Sequence, residues 1–340
     1  MSKKIYQWRA LSCLWIFGLA LFIGCGPSGQ PLLMWKATKG EQTVHLMGSI
    51  HTGKEKMYPL ASEIMDAFQS SEALAVEVDI TKVDTMTIQA EMGKRALEKP
   101  DGKKNISADL EKKVKACMTS KGLPESAYKQ YRLWYLIQLC APTPKTPATG
   151  YSPKWGVDLH FINKAGKKKV IDLETVKIQL DSIAAMGDDP ELFYEYVQIP
   201  SDLDVLFNAW ASGDPERIEG EALKGLKSNP ALKPIYEVFL FERNRNMVKK
   251  LLTTLSAHKK LFVVVGAAHL VGQDGMPDLM RKEGFTVEAV RTATKQTALP
   301  LDETKKSLLI WREKEIQPAF IFNLPRIGLH QQYFDRQKFK

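Results

Sequence analysis

Leu261-Phe262-Val263-Val264-Val265-Gly266-Ala267-Ala268-His269 is an apolar, valine-rich run, then a glycine, then a histidine three positions on. A short apolar run that stops at glycine reads as a buried strand followed by a sharp turn. The pattern recurs near the start of the chain in Val44-His45-Leu46-Met47-Gly48-Ser49-Ile50-His51. Two such turns can bring His51 and His269 together, and paired imidazoles are a common beginning of a divalent metal site.

The neighbouring segments extend this strand reading. Residues 33–38 and 43–47 form a hairpin pattern around Lys39-Gly40-Glu41-Gln42. Residues 59–69 read as a helix with Pro59 in its first turn and Leu60, Ile64 and Phe68 at four-residue spacing. Ala73-Leu74-Ala75-Val76-Glu77-Val78 is the next strand, interrupted only by Glu77. Residues 81–140 read as mostly helical, with a basic break over residues 99–104 and an aromatic stripe of Tyr131, Trp134 and Tyr135 that suits a core. Three prolines make residues 141–147 a loop. A short helix over 156–165, a strand over 169–173, long helices over 174–255, a helix over 275–283 and a strand over 285–290 complete the pattern. Strand-rich ends around a helical middle predict an α/β (α+β) fold, with a central mixed sheet and helices packed around it.

Glu77 stands out chemically. A carboxylate in a strand of Ala, Leu and Val costs several kcal/mol if buried unpaired, so it must be exposed, paired or metal-bound. His51, His269 and Glu77 make a set of two imidazoles and one carboxylate with open positions for water and substrate. Glu77 is either a ligand or a general base. Asp158 in Gly156-Val157-Asp158, His160 beside it, and Glu174 in Leu173-Glu174-Thr175 are further site candidates. Arg243, followed by Asn244, could clamp a carboxylate or steady a developing oxyanion. Each of these alone also fits a helix cap or a surface ion pair. His45, His258 and His330 read as structural or exposed.

Together these residues resemble the TraB/PrgY/GumN family, which also contains the Tiki Wnt-inactivating proteases. The resemblance is carried in order by Gly48-Ser49-Ile50-His51, Glu77, Gly156-Val157-Asp158, Leu173-Glu174-Thr175, Arg243-Asn244 and Gly266-Ala267-Ala268-His269-Leu270-Val271-Gly272, and spans about residues 33–292. It implies a fold like that of the erythromycin-esterase and ChaN groups. It also implies hydrolysis of peptide bonds with a divalent metal, manganese or cobalt ahead of zinc, held by His51, His269 and Glu77. Arg243 and Asn244 carry over as site residues. The ChaN likeness leaves open a binding lipoprotein that takes a metal, haem or peptide in the same cleft without turnover. The erythromycin-esterase likeness leaves open metal-free histidine chemistry. Neither Gly-x-Ser-x-Gly nor His-Glu-x-x-His occurs, so a serine α/β-hydrolase and a common zinc protease are not supported.

Composition sets the compartment. Residues 1–25 read as an export signal: Lys3, Lys4 and Arg9, an apolar stretch over 11–23 too short to span a bilayer, then Gly24-Cys25. This ending resembles a bacterial lipobox with Cys25 as the lipidated residue, although Phe22 stands where leucine is usual. Gly26 rather than Asp after it favours the outer membrane. Residues 26–32 then read as a tether, 33–295 as the TraB/GumN-like domain and 296–340 as a C-terminal extension. In an oxidising compartment Cys117 and Cys140 could pair; otherwise they are buried thiols. The net charge of +9 falls by three without the signal and is scattered, which argues for a solvated basic surface and against a nucleic-acid partner. The expected partners are a peptide or protein substrate and, through the lipid, a membrane.

Overall fold

The computed structural model describes residues 29–97, 106–142 and 150–293. The expected signal, lipobox Cys25, basic break and C-terminal extension, and most of the proline-rich loop, lie outside the described residues.

The opening hairpin is β1 (Pro31–Lys39) and β2 (Gln42–Ser49), paired antiparallel from Met34↔Met47 to Lys39↔Gln42. Gly40 takes φ 57° at its tip, a conformation open to glycine. β1 starts inside the span read as a tether, because Pro31 already pairs with Arg291; a proline is tolerated as the first residue of a strand. The other strands are β3 (Ala73–Val76), β4 (Lys169–Asp172), β5 (Lys260–Gly266) and β6 (Thr286–Arg291). They form one six-stranded mixed sheet in the order β4-β3-β5-β2-β1-β6. β4, β3, β5 and β2 run parallel to one another, and β1 is antiparallel to both β2 and β6. Helices pack around this sheet, as an α/β fold requires.

Three local readings need correction. The first helix is Ser62–Ser70 and excludes Pro59, whose peptide bond with Tyr58 is cis. Leu60 is instead buried ahead of the helix, and Ala61 is extended. β3 ends at Val76, so Glu77 lies just past the strand rather than within it. The aromatic stripe does not lie on one helix: Tyr131 separates Glu125–Gln130 from Leu133–Leu139, and its N–H still bonds the carbonyl of Ala127.

Two hydrophobic cores result. One covers the sheet, with Leu46, Phe68, Phe161, Phe262, Val264 and Met247 among its members. The rings of Phe161 and Phe262 lie 4.8 Å apart, and Phe68 packs against both, tilted to Phe161 and edge-on to Phe262. The other lies among the helices, around Trp134, Ile137, Leu180, Ile183, Phe193 and Leu240. A disulfide joins Cys117 to Cys140 in this second region. The helix Val176–Met186 and the π-helix Glu237–Phe241 pack in the second core, and the helix Glu242–Thr254, which follows the π-helix directly, packs in the first.

Candidate active site

Four parallel strands end at one edge of the sheet, and each is followed within three residues by a site candidate. β2 ends at Ser49 and leads to His51; β5 ends at Gly266 and leads to His269. β3 ends at Val76, immediately before Glu77; β4 ends at Asp172, two residues before Glu174. In parallel α/β sheets, the carboxyl ends of strands are where ligands bind. The register Ser49↔Gly266 puts the two Gly-x-x-His turns side by side.

Glu77 is 7% exposed and is held from three sides. Its Oε1 accepts the Gly266 N–H at 2.6 Å; its Oε2 accepts from Arg243 Nη2 at 3.1 Å and from Gln179 Nε2 at 3.3 Å. Burial alone would raise its carboxyl. The imidazoles of His269 and His51, the Arg243 guanidinium and the Gly266 N–H outweigh that, and hold it below the usual carboxylate range.

Arg243 is 2% exposed, and its guanidinium is committed inside the protein. It meets Glu174 as a fork, Nε to Oε1 at 2.9 Å and Nη2 to Oε2 at 2.6 Å, and it donates from Nη1 to the Phe239 carbonyl. That carbonyl belongs to the π-helical turn preceding Arg243, a feature often found at functional sites. Arg243 therefore braces Glu77 and Glu174. An oxyanion clamp needs a guanidinium open to substrate, so the expectation of that role is corrected by its burial. Gln179, which bridges Glu77 and Glu174 at 3.3 Å each, is a site residue that sequence reading missed. It sits on an ordinary amphipathic helix and carries no motif of its own.

The histidines are each fixed through Nδ1. His269 is fully buried; its Nδ1 meets Asn244 Oδ1 at 2.5 Å, and Asn244 Nδ2 donates to the Asp274 carbonyl at 2.7 Å. Burial first, then the nearby positive charges of Arg243 and His51, push His269 down to about 3 against the pull of Glu77. It is neutral at physiological pH. His51 Nδ1 lies 3.3 Å from Asp158 Oδ1. Burial would lower His51, but the Asp158 carboxylate overrides it and raises the imidazole to about 9. Asp158 is in turn held by Ser49, whose hydroxyl donates to Oδ1 at 2.8 Å and accepts the Asp158 N–H at 3.1 Å. Gly156 makes this junction possible, since a Cβ there would come within 2.6 Å of the His51 carbonyl oxygen. His160, expected as a weaker ligand, stacks on Tyr58 at 4.3 Å and edges against Phe161; burial lowers it to about 4.

The donor chemistry fits a divalent cation. His269 Nε2 is buried, has no hydrogen-bond partner, and faces Glu77 Oε1 at 3.7 Å. That is too long for a hydrogen bond, and it suits two ligands about 2.1 Å from one ion. The cluster also sets three carboxylates (Glu77, Glu174, Asp158) against two cationic groups, Arg243 and protonated His51, so it carries net negative charge. The expected three-donor set is not drawn into a cage, however. Among the described residues no three His, Cys, Asp or Glu side chains are grouped to hold an ion. His51 is turned to Asp158, while its charge is felt at both Glu77 and His269.

Known proteins give this site a context. The YbaP protein of Escherichia coli K12, described as uncharacterized, is 24% identical over 250 residues, 71% of this chain and 89% of that protein. An uncharacterized protein of Treponema pallidum strain Nichols is 19% identical over 273 residues, 75% of this chain and 82% of its own. A protein of Nematostella vectensis named Metalloprotease TIKI homolog is 36% identical over 77 residues, 22% of this chain and 16% of that protein. No solved structure matches. The sequence model of the TraB/PrgY/gumN family matches residues 33–289, most of the 340-residue chain. The chain belongs to the TraB/PrgY/gumN family.

Proposed function

We propose that this protein is a divalent-metal-dependent hydrolase of peptide or amide bonds, exported and tethered to a membrane through lipid on Cys25. One observation carries the catalytic part: a neutral, buried, unpartnered imidazole nitrogen facing a carboxylate oxygen at 3.7 Å, at the carboxyl edge of a parallel sheet. His269 and Glu77 would hold the ion, and His51 would complete the set. The ion supplies Lewis acidity toward a substrate carbonyl and lowers the pKa of a water. Manganese or cobalt is the expected ion, with zinc the alternative.

The protein's own groups do the rest. Gly266, Arg243 and Gln179 fix Glu77 as an oriented carboxylate. Asp158 anchors His51 at Nδ1, and because it also raises the ring to about 9, an ion would have to displace the Nε2 proton to bind there. A peptide is the favoured substrate because the Nematostella relative is named a metalloprotease. Cys25 after a short apolar stretch supports the tether, with the outer membrane favoured.

The test is cleavage of a mixed peptide library with manganese, cobalt or zinc, by the whole protein and by His51→Ala and His269→Ala. Loss in both variants and on chelation is the expected result. Equal turnover by the wild type and the double variant would overturn the proposal. Stoichiometric metal without cleavage of any peptide would instead favour a binding lipoprotein. Labelling with a palmitate analogue, lost in Cys25→Ser, tests the tether.

A further inference from the structure

The proton on His269 can be placed by following its neighbours outward. The Asp274 carbonyl can only accept, so the Asn244 NH2 group, 2.7 Å away, must point at it. The oxygen of that amide then points at His269 Nδ1, 2.5 Å away. An amide oxygen also only accepts, so the imidazole proton sits on Nδ1. Nε2 is left with a bare lone pair, 3.7 Å from Glu77 Oε1.

This is not the arrangement that His269 and Glu77 would choose alone. With the proton on Nε2, the imidazole could donate to the carboxylate and form a charge-assisted hydrogen bond. The pair would then be satisfied, and the nitrogen would be closed to any cation. Asn244 prevents this by claiming the proton on the far side of the ring. Two buried acceptors are left 3.7 Å apart.

We infer that Asn244, anchored by the Asp274 backbone carbonyl, is a positioning residue that selects the Nδ1–H tautomer of His269 and keeps the His269–Glu77 pair open to a cation. The use of the opening for metal rests on the proposed function; the tautomer assignment does not. His51 has a parallel arrangement through Asp158, but its anchor is a carboxylate, whereas the anchor of His269 is a neutral amide. A carboxylate in place of Asn244 would still accept the proton but would add a negative charge against the Asp274 carbonyl.

The experiment is long-range proton–nitrogen correlation NMR of the metal-free protein labelled with 15N-histidine, with the His269 ring assigned by its loss in His269→Gln. The wild type is expected in the Nδ1–H form. Asn244→Leu is expected to shift the ring to Nε2–H and to weaken Mn2+ binding, measured by calorimetry, about 10–100-fold. Asn244→Asp is expected to restore the Nδ1–H form and part of the affinity. A merely structural role for Asn244 would not move the tautomer. An Nε2–H ring in the wild type overturns the inference without any variant, and so does an Nδ1–H ring that persists in Asn244→Leu. An Nδ1–H wild type that binds no manganese supports the tautomer lock and overturns the metal reading.

Discussion

Arg243→Met is the most direct test of how the site is held together. Arg243 is 2% exposed and donates to Glu77, twice to Glu174, and to the Phe239 carbonyl. Methionine fills similar space and supplies none of these donors. Two buried carboxylates then face each other with only Gln179 between them. Removing one member of a buried ion-pair network costs about 3–5 kcal/mol, chiefly because the remaining charges are left uncompensated. For a domain of this size each kcal/mol moves Tm by about 2–4 °C, so a fall of about 6–20 °C is expected. The loss must also depend on pH. In the wild type the Glu77 carboxyl is depressed, so its contribution is present above the unfolded glutamate value of about 4.3 and disappears as pH falls through the lower folded value. In the variant, falling pH lets the orphaned carboxylates take up protons, which relieves the damage. The wild-type and variant urea curves, recorded without metal, should therefore differ most near neutrality and converge toward about pH 4. Adding Glu174→Gln should recover part of the loss. A difference below about 1 kcal/mol, or one that is unchanged across this range, would refute the account of Arg243 as a brace.

Two further predictions concern the rest of the fold. His45, in β2, is pushed down to about 4 by burial and then by the charge of Lys36, so the unfolded chain binds its proton first. Stability should fall as pH drops from about 6.5 toward 4, and His45→Gln should flatten that slope in denaturant titrations; an unaltered slope would exclude His45 as a source. The Cys117–Cys140 disulfide closes a loop of sequence separation 23, for which chain entropy predicts roughly 3 kcal/mol. Replacing both cysteines with serine should lower the denaturation midpoint accordingly, and two titratable thiols in unreduced protein would show that the bond does not form.

Much of the sheet can be read in the sequence because its strands announce themselves. Leu261 to Gly266 and Val44 to Ser49 are apolar runs that stop at or just past a glycine, and the structure shows them paired in parallel. Glu77 is conspicuous because an acid beside Ala75 and Val76 demands a partner. The identity of that partner cannot be read the same way. Arg243 lies 166 positions away on a helix, and Gln179 lies 102 positions away on another. Local pattern fixes neither distance, because the strand order β4-β3-β5-β2 is a property of packing and not of any one segment. The same limit explains why Arg243 reads as a free clamp in sequence and as a buried brace in structure. An arginine on a helix says nothing about burial until Glu77 and Glu174 arrive from adjacent parallel strands.

That order also accounts for the chemistry. β4 brings Glu174, β3 brings Glu77, β5 brings His269 and β2 brings His51, so the sheet sets the site out in sequence from brace to ligand. At one end the negative charge of Glu174 is neutralised by Arg243; at the other the Asp158 carboxylate is matched by a protonated His51. Between them Glu77 shares its cation with Glu174, and the neighbouring His269 is kept neutral by burial. The unmet negative charge therefore falls at the middle of the edge, between β3 and β5, where Glu77 Oε1 and His269 Nε2 stand 3.7 Å apart. A parallel sheet with these four strand ends has its deficit of positive charge at one point, and that is where a cation would contribute most.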